Sequence, residues 1–163
     1  MRKLRFLLTG AALGAVFIRM TGFPARIGLT QSQAAVSLPG DLLSPSADVV
    51  VDRAVLIHAS PERVWEVIDA AFHAEEKDVL VKEPCDCMVL RAAYPTQEPD
   101  SPVQGTCALV LLPEANGTTR VHMRERHTSS PEMSARKIRA LLALESPVAL
   151  RMLYDIKHVA EMN

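Results

Sequence analysis

The amino-acid sequence predicts an α+β fold in which an antiparallel sheet packs on a long C-terminal helix. Residues 47–59 are rich in β-branched side chains, which indicates a strand. A turn at Asn116 and Gly117, followed by alternating apolar and polar residues, indicates a hairpin. Residues 147–162 carry apolar side chains at helical spacing, with ion pairs on the outside, which indicates the terminal helix.

The composition fits a single globular domain without long-range attraction to polyanions. Of the 163 residues, 48% are hydrophobic and 23% are charged, enough for one core. The formal net charge is -1. Because such a chain has no excess of basic residues, we expect no nucleic-acid partner.

Residues 1–23 form a hydrophobic N-terminal segment of the kind found in membrane anchors and secretory signals. Three basic residues precede the apolar run FLLTGAALGAVFI. A helix over that run is about 20 Å long, so it crosses the roughly 30 Å hydrocarbon core only if all of residues 4–23 are used. Since no small-x-small cleavage site follows directly, we expect an uncleaved anchor and a membrane-associated protein. The alternatives are a cleaved signal on a secreted protein and a helix packed on a cytoplasmic domain.

Residues 24–46 are predicted to be a linker or lead-in to the folded domain, which we place at residues 47–163. The lead-in is rich in Gly, Pro, Ser and Gln, and LPGD at residues 38–41 is a strong turn signal. It separates the hydrophobic segment from the domain.

The first strand is predicted to pass directly into a helix at Ser60. Ser60 is a favourable N-cap, and Pro61 occupies the first helical position, where a missing N–H costs nothing. Apolar residues then recur at three- and four-residue spacing. Trp65 belongs to this stripe, so we interpret it as a packing residue rather than a ligand contact.

The middle of the chain is predicted to be antiparallel strands. Residues 79–92 form two short strands about a turn at Glu83 and Pro84, and residues 106–113 form a buried strand. After the Asn116 turn, Val121 and Met123 alternate with polar residues, which predicts a hairpin strand with one face in water. Its solvent-facing residues are Arg120, His122, Arg124 and Arg126.

The C-terminal part is predicted to be two helical stretches. The first runs from about residue 132 to residue 144. Ser146 and Pro147 repeat the cap-plus-proline pattern and predict a second helix start, from which a long amphipathic helix runs toward Met162.

Few residues of the chain indicate a catalytic or metal-binding site. Cys85, Cys87 and Cys107 do not have zinc-ligand spacing, so we predict no metal. The histidines are scattered, and we expect four of the five at the surface; His58 ends the first strand and is interpreted as structural. No phosphate loop or nucleophile motif occurs in the sequence. We therefore predict no catalytic residues and no cofactor.

Four stretches together resemble the SRPBCC superfamily, the START-like or helix-grip domains that include polyketide cyclases. The stretches are LPGDLLSPSADVVVDRAVLIHASPERVWEVI, VLVKEPCDCMVLRA, TCALVLLPEANGTTRVHMRER and PVALRMLYDIKHVAE. They resemble a bacterial subgroup with a hydrophobic N-terminal segment. The resemblance implies a curved sheet wrapped around the C-terminal helix, with a cavity between them for a lipid, sterol or polyketide.

The resemblance implies a ligand site made by inward residues of the strands and the last helix. The expected partner is a hydrophobic small molecule or lipid. By periodicity the inward residues are Leu109, Leu111, Val121, Met123, Leu150, Leu153 and Ile156. The alternative for each of them is that it simply fills the core.

The sequence departs from the family pattern after Phe72. Family members place a further helix and strands there, whereas HAEEKD alone separates Phe72 from Val79. Three outcomes stay open: an open cavity, an edge supplied by a second copy in a homodimer, or loss of binding.

Three functional hypotheses follow from this pattern. The first is a non-catalytic carrier of a hydrophobic molecule. The second is a membrane-tethered structural or interaction domain without a ligand. The third is a cyclase- or dehydratase-like enzyme, for which His58, Arg53 or Glu125 would be the acid or base beside a closed cavity.

Overall fold

The computed structural model describes residues 22–72, 78–93 and 102–162. It confirms the α+β prediction, since a six-stranded, mostly antiparallel sheet packs on a long C-terminal helix. The elements in chain order are β1 (Arg26–Ile27), α1 (Gln31–Ala34), a 3-10 turn (Asp41–Leu43), β2 (Val49–Ile57), α2 (Pro61–Ala71), β3 (Val79–Glu83), β4 (Cys87–Arg91), β5 (Gly105–Pro113), a 3-10 turn (Ala115–Gly117), β6 (Thr119–His127) and α3 (Ala135–Glu161).

The strands lie in the order β1-β2-β6-β5-β4-β3. All neighbours are antiparallel except β1, which runs parallel to β2 at one edge. The crossover through α2 carries the chain from β2 to β3 at the far edge. The sheet therefore has one face covered by α2 and α3, called here the helix face, and an opposite back face.

The strand-to-helix join forms as the sequence predicts. The Ser60 side chain accepts a hydrogen bond from the backbone N–H of Arg63, and Pro61 is the first residue of α2. Trp65 is 7% exposed and belongs to the main core between α2, α3 and the sheet. The interpretation of Trp65 as a packing residue is confirmed.

The C-terminal helix differs from the sequence prediction because it does not restart at Ser146. It runs unbroken for 27 residues, with Pro147 inside it. The Ser146 hydroxyl does not cap a helix; it donates to the carbonyl of Leu142 at 2.7 Å, one turn earlier. An interior proline costs a helix about 3 kcal/mol. Burial of apolar side chains on both sides of Pro147, such as Ile138 and Ile156, offsets that cost.

The back face of the sheet is covered by the chain between residues 34 and 46, which the sequence predicts only as a lead-in. Leu38 is buried there in a second core cluster with Val89 and Val110. Gly40 of the LPGD turn has a φ of 93°, and a Cβ on it would lie 3.0 Å from a methyl group of Val89. The boundary at residue 46 stays a prediction, but the lead-in segment lies against the sheet.

The hairpin strand β6 therefore has no face open to water, and that prediction is wrong. His122 and His127 are fully buried and Arg124 is 4% exposed. The expectation that four of the five histidines lie at the surface is wrong for these two. Alternating polarity reports which residues share a face, and it does not report what covers that face.

Among the described residues, none of the helices combines the length and apolarity needed to cross a bilayer. Residues 1–21 of the predicted hydrophobic segment lie outside the described residues, so the membrane prediction stands as a prediction. His73, in the short connection after Phe72, also lies outside them.

Candidate functional site

The residues predicted to line a cavity are mostly packed against one another. All but Leu150 are at most 6% exposed and belong to the main core cluster. Leu150 is half-buried and lies outside that cluster. The side chains packed in the core are Leu109, Leu111, Val121, Met123, Leu153 and Ile156.

An open groove lies at one edge of this core, between β6 and α3. It has a volume of about 350 Å³. We call it the helix–sheet groove. Its lining residues are Met123 and Glu125 of β6 and Glu145, Val148, Ala149 and Met152 of α3. Of the predicted ligand-contacting residues, Met123 alone borders it.

The periodicity of the two elements brings the groove residues together. Met123 and Glu125 are two apart on β6, so both point to the helix face. Glu145, Ala149 and Met152 follow one another at four- and three-residue spacing and share one side of α3. Their spacing in the sequence shows that they share one side of α3, but it does not show that this side borders β6, and the sequence prediction took the stripe of Leu150 and Leu153 instead.

A buried ion pair lies behind the groove. Arg53 of β2 is fully buried, and its Nη1 donates to Oε2 of Glu125, whose side chain is 14% exposed. Its Nη2 donates to the Ser146 hydroxyl at 2.9 Å and to the Leu142 carbonyl at 3.0 Å. The guanidinium is thus held on three partners, as a buried charge requires. Glu125 separates it from the groove.

Cys107 lies opposite Glu125 across the β5–β6 pairing. Burial raises the pKa of its thiol, the Glu125 carboxylate raises it further, and the Arg53 charge offsets only part of this. The thiol is therefore protonated near neutral pH and a poor nucleophile. The described ranges bring no three His, Cys, Asp or Glu side chains close enough together to hold a metal ion.

His58 does not face the space between sheet and helix. Its side chain is 66% exposed, and its Nδ1 lies 2.9 Å from Oε1 of Glu161 near the end of α3. The backbone N–H of His58 donates to the same oxygen at 2.7 Å. His58 therefore fastens the end of α3 to the end of β2.

A second polar cluster, on the back face, was missed by the sequence prediction. Oδ1 of Asp52 lies 2.8 Å from Nε2 of His122 and accepts from Nε of Arg124 at 2.7 Å. Arg124 also donates to Asp41 Oδ2 and to the Val36 carbonyl, both at 2.8 Å. These bonds tie the lead-in segment to the sheet. Each charged group in the cluster has a partner, whereas Nδ1 of His122 is buried without a hydrogen-bond partner among the described residues. The paired charges indicate a structural rather than a catalytic role.

This cluster predicts acid sensitivity through Asp52. Burial would raise the pKa of Asp52, but hydrogen bonds from His122 and Arg124, with the Arg124 charge, outweigh burial and hold the pKa below the ordinary value of 3.8. Ionised Asp52 thus stabilises the fold fully above about pH 4, and the contribution is lost as the pH falls through the lowered value. We expect Asp52→Asn to cost about 1–3 kcal/mol near pH 7 and to flatten the loss of stability below pH 4. Urea unfolding at a series of pH values measures both the loss near pH 7 and the pH dependence.

The matched control is Asp155→Asn, because the Asp155 side chain is 67% exposed in an i,i+4 pair with Arg151. It should leave the pH profile unchanged. Parallel profiles for the wild type and Asp52→Asn below pH 4 would contradict the role of Asp52.

Comparison with known proteins gives similarity of fold. No protein-family model matches the chain, and no curated protein matches it. Protein MLL2253 from Mesorhizobium loti has a similar structure, with 15% identity, a TM-score of 0.43, and coverage of 68% of this chain and 95% of that one.

Two further solved structures are similar. The Aha1 dimer from Colwellia psychrerythraea shows 17% identity, a TM-score of 0.46, and coverage of 70% of this chain and 99% of that one. TTHA0849 from Thermus thermophilus shows 16% identity, a TM-score of 0.40, and coverage of 69% and 99%. At these identities the similarity describes the fold alone.

Proposed function

We propose that this domain binds a hydrophobic small molecule in the helix–sheet groove, without catalysis, as the resemblance to the SRPBCC superfamily implies. The observation that carries the proposal is the groove between β6 and α3. At about 350 Å³ it lies at the small end of the roughly 300–1,000 Å³ range of ligand pockets.

The groove supports the proposal better than the interior does. The space between the sheet and α3 is filled by side chains such as Leu109 and Leu153, which are at most 1% exposed. A ligand there would have to displace close-packed core residues. A ligand in the groove would instead cover apolar surface that is already in water, including Val148, which is 72% exposed.

The side chains of the groove suit an adaptable apolar site. Met123 lines it from β6 and Met152 from α3, and unbranched thioether side chains adjust to ligands of different shape. Glu125 is paired with Arg53, and Cys107 is held as a neutral thiol. These pairings favour binding over acid–base or nucleophilic chemistry, and so favour the carrier over the enzyme hypothesis.

Membrane association through residues 4–23 is part of the proposal. A tether of this kind would keep the domain close to a source of apolar ligands. Removing those residues should shift the protein from the membrane to the soluble fraction without changing ligand binding.

The test is binding of an apolar fluorescent dye to the full chain, with organic extraction of whatever co-purifies. We expect the wild type to bind the dye and Met152→Arg to bind it at least about tenfold more weakly, because a guanidinium then occupies the apolar wall. The control is Tyr154→Arg on the same helix, at a 58% exposed position outside the groove. Thermal unfolding checks that both variants fold.

Two outcomes would remove the carrier proposal. One is equal dye binding by Met152→Arg and the wild type. The other is a protein that binds no dye and releases no lipid-like molecule on extraction.

A second candidate function, an interaction domain without a ligand, is favoured by the filled interior. Leu144, Val148 and Tyr154 are all more than half exposed on α3 and offer an apolar surface to another protein or a second copy. A chain that binds no dye but forms a dimer in sedimentation equilibrium, lost on Leu144→Arg, would support this function instead.

A further inference from the structure

Three exposed cations near the start of α3 have no carboxylate partner among the described residues. Arg136, Lys137 and Arg139 are all exposed, and none of them forms an ion pair in the described part of the chain. We call these three residues the basic patch. Arg151, further along α3, is by contrast paired with Asp155. Because its charges are not paired within the chain, the basic patch can attract an external anionic surface.

The acidic residues near the basic patch do not pair with it. Nζ of Lys137 donates to the backbone carbonyl of Glu132 at 3.1 Å, and Nη2 of Arg139 donates to the backbone carbonyl of Asp48 at 3.0 Å. The two carboxylate oxygens of Asp48 accept instead from the N–H and the hydroxyl of Ser129, at 2.8 and 2.6 Å. Residues 133–144 contain basic residues and no acidic ones. This part of α3 is therefore positively charged.

Exposed apolar side chains continue from the basic patch along α3. Leu144 is 77% exposed and Val148 is 72% exposed. Lys137, Leu144 and Val148 are seven and four residues apart, so they share one side of the helix. A helix side that combines basic residues with exposed apolar ones is typical of binding at a membrane surface. Val148 also lines the helix–sheet groove.

The described chain begins beside the basic patch. Pro24 and Ala25 border a small recess together with Arg139 and Ala143 of α3. The predicted hydrophobic segment, residues 1–23, therefore joins the domain next to these cations. A membrane that holds this segment would lie close to the basic patch.

We propose that this side of α3 docks on an anionic lipid bilayer, with the basic patch on the lipid phosphates and Leu144 and Val148 at the boundary of the acyl chains. The inference rests on the proposed function and extends it, because the groove would then open toward the lipids that supply its ligand. Each basic residue close to such a surface strengthens binding about fivefold. Three of them add to a hydrophobic tether and do not replace it.

The experiment measures binding of the full chain to two kinds of vesicle, phosphatidylcholine alone and an equal mixture of phosphatidylcholine and phosphatidylglycerol. The hydrophobic segment contributes to binding of both kinds, whereas the basic patch contributes only to binding of the anionic kind. We expect tighter binding to the anionic vesicles, with a preference that weakens as salt is added. Because the sequence MRKLR at the N-terminus also favours anionic vesicles, the comparison between variants decides the matter.

The deciding variant carries Arg136→Gln and Lys137→Gln together. We expect it to lose at least about tenfold of the preference for anionic vesicles, while its binding to phosphatidylcholine stays unchanged. The matched control carries Arg63→Gln and Lys82→Gln, which remove the same charge from side chains 45% and 46% exposed on α2 and β3. The control should keep the preference of the wild type. Thermal unfolding checks that both variants fold.

A second measurement locates the contact on α3. Leu144→Trp places an indole at an exposed position, while the single native tryptophan, Trp65, stays buried and gives a constant background. We expect the emission of this variant to shift to the blue on addition of anionic vesicles, as the indole leaves water. Glu66→Trp, at a 68% exposed position on α2, should show no shift.

The outcomes separate this inference from the proposed function. An unchanged preference in the Arg136→Gln and Lys137→Gln variant, an equal loss in its control, or no blue shift for Leu144→Trp would overturn the docking surface and leave the hydrophobic carrier intact. A blue shift that rises with protein concentration without vesicles would assign this side of α3 to a second copy of the chain, and would also overturn it. Loss of dye binding, with the vesicle results as expected, would remove the carrier and keep the docking surface.

Discussion

Arg124→Ala is expected to lower the free energy of unfolding by about 3–5 kcal/mol, as breaking a buried ion pair by removal of one partner typically does. The change leaves Asp52, whose side chain is 9% exposed, without its cation. It also removes the donors that Arg124 directs to the Val36 and Ala34 carbonyls. Urea unfolding of the full chain measures this loss in the free energy of unfolding.

The same variant should loosen the lead-in segment specifically. We expect limited proteolysis to cut between residues 34 and 46 in Arg124→Ala under conditions that leave the wild type whole, because those residues lose their anchor on the sheet. The control is Arg151→Ala, which removes an arginine whose side chain is 83% exposed and should cost at most about 0.5 kcal/mol. Equal losses for the two variants would show that the buried cluster does not hold the segment.

Glu125→Leu is expected to cost about 3–5 kcal/mol as a single change, and Arg53→Met is expected to rescue most of that loss. Without Glu125, the guanidinium of Arg53 is fully buried with only the Ser146 and Leu142 oxygens to accept from it. The double variant removes both charges and leaves apolar side chains of similar size beside an apolar core. Replacement of a buried pair in this way is often neutral or stabilising.

The four proteins of this cycle are compared by urea unfolding. Arg53→Met alone should cost less than Glu125→Leu alone, because it leaves a carboxylate that reaches water rather than a buried cation. A double variant as unstable as Glu125→Leu would mean that Arg53 is not the source of the loss.

Local interactions explain what the sequence predicts well. The Ser60 cap and Pro61 define the start of α2 through bonds within one turn, and Asn116 has the positive φ of 62° that a tight connection needs. Strand β5 follows from its continuous apolar run before that connection, and strand β6 follows from the alternation after it. Most of the sheet, α2 and the helical character of α3 are predictable in this way.

Long-range contacts explain what the sequence does not predict. Arg124 lies about 80–90 positions from Asp41 and Ala34, and no local pattern indicates that these residues meet. The continuous α3 is a second case, since Pro147 signals a helix start and only packing against the sheet overrides it. The groove is a third: Met123 is predictable from alternation, whereas Val148 and Met152 border it only because of how α3 is rotated on β6.

The attachment of the lead-in segment to the sheet removes the flexibility that a linker of this length would have. A loose chain of residues 24–46 would have an r.m.s. end-to-end distance of about 25 Å and would let the domain turn in any direction. Instead, the carbonyl of Ala25 accepts from the N–H of Asp52 at 2.8 Å, so the chain is secured at the sheet edge from its first described residues. Residues 24–46 are therefore held against the sheet at Ala25 and at Leu38, and they do not act as a flexible spacer in front of it.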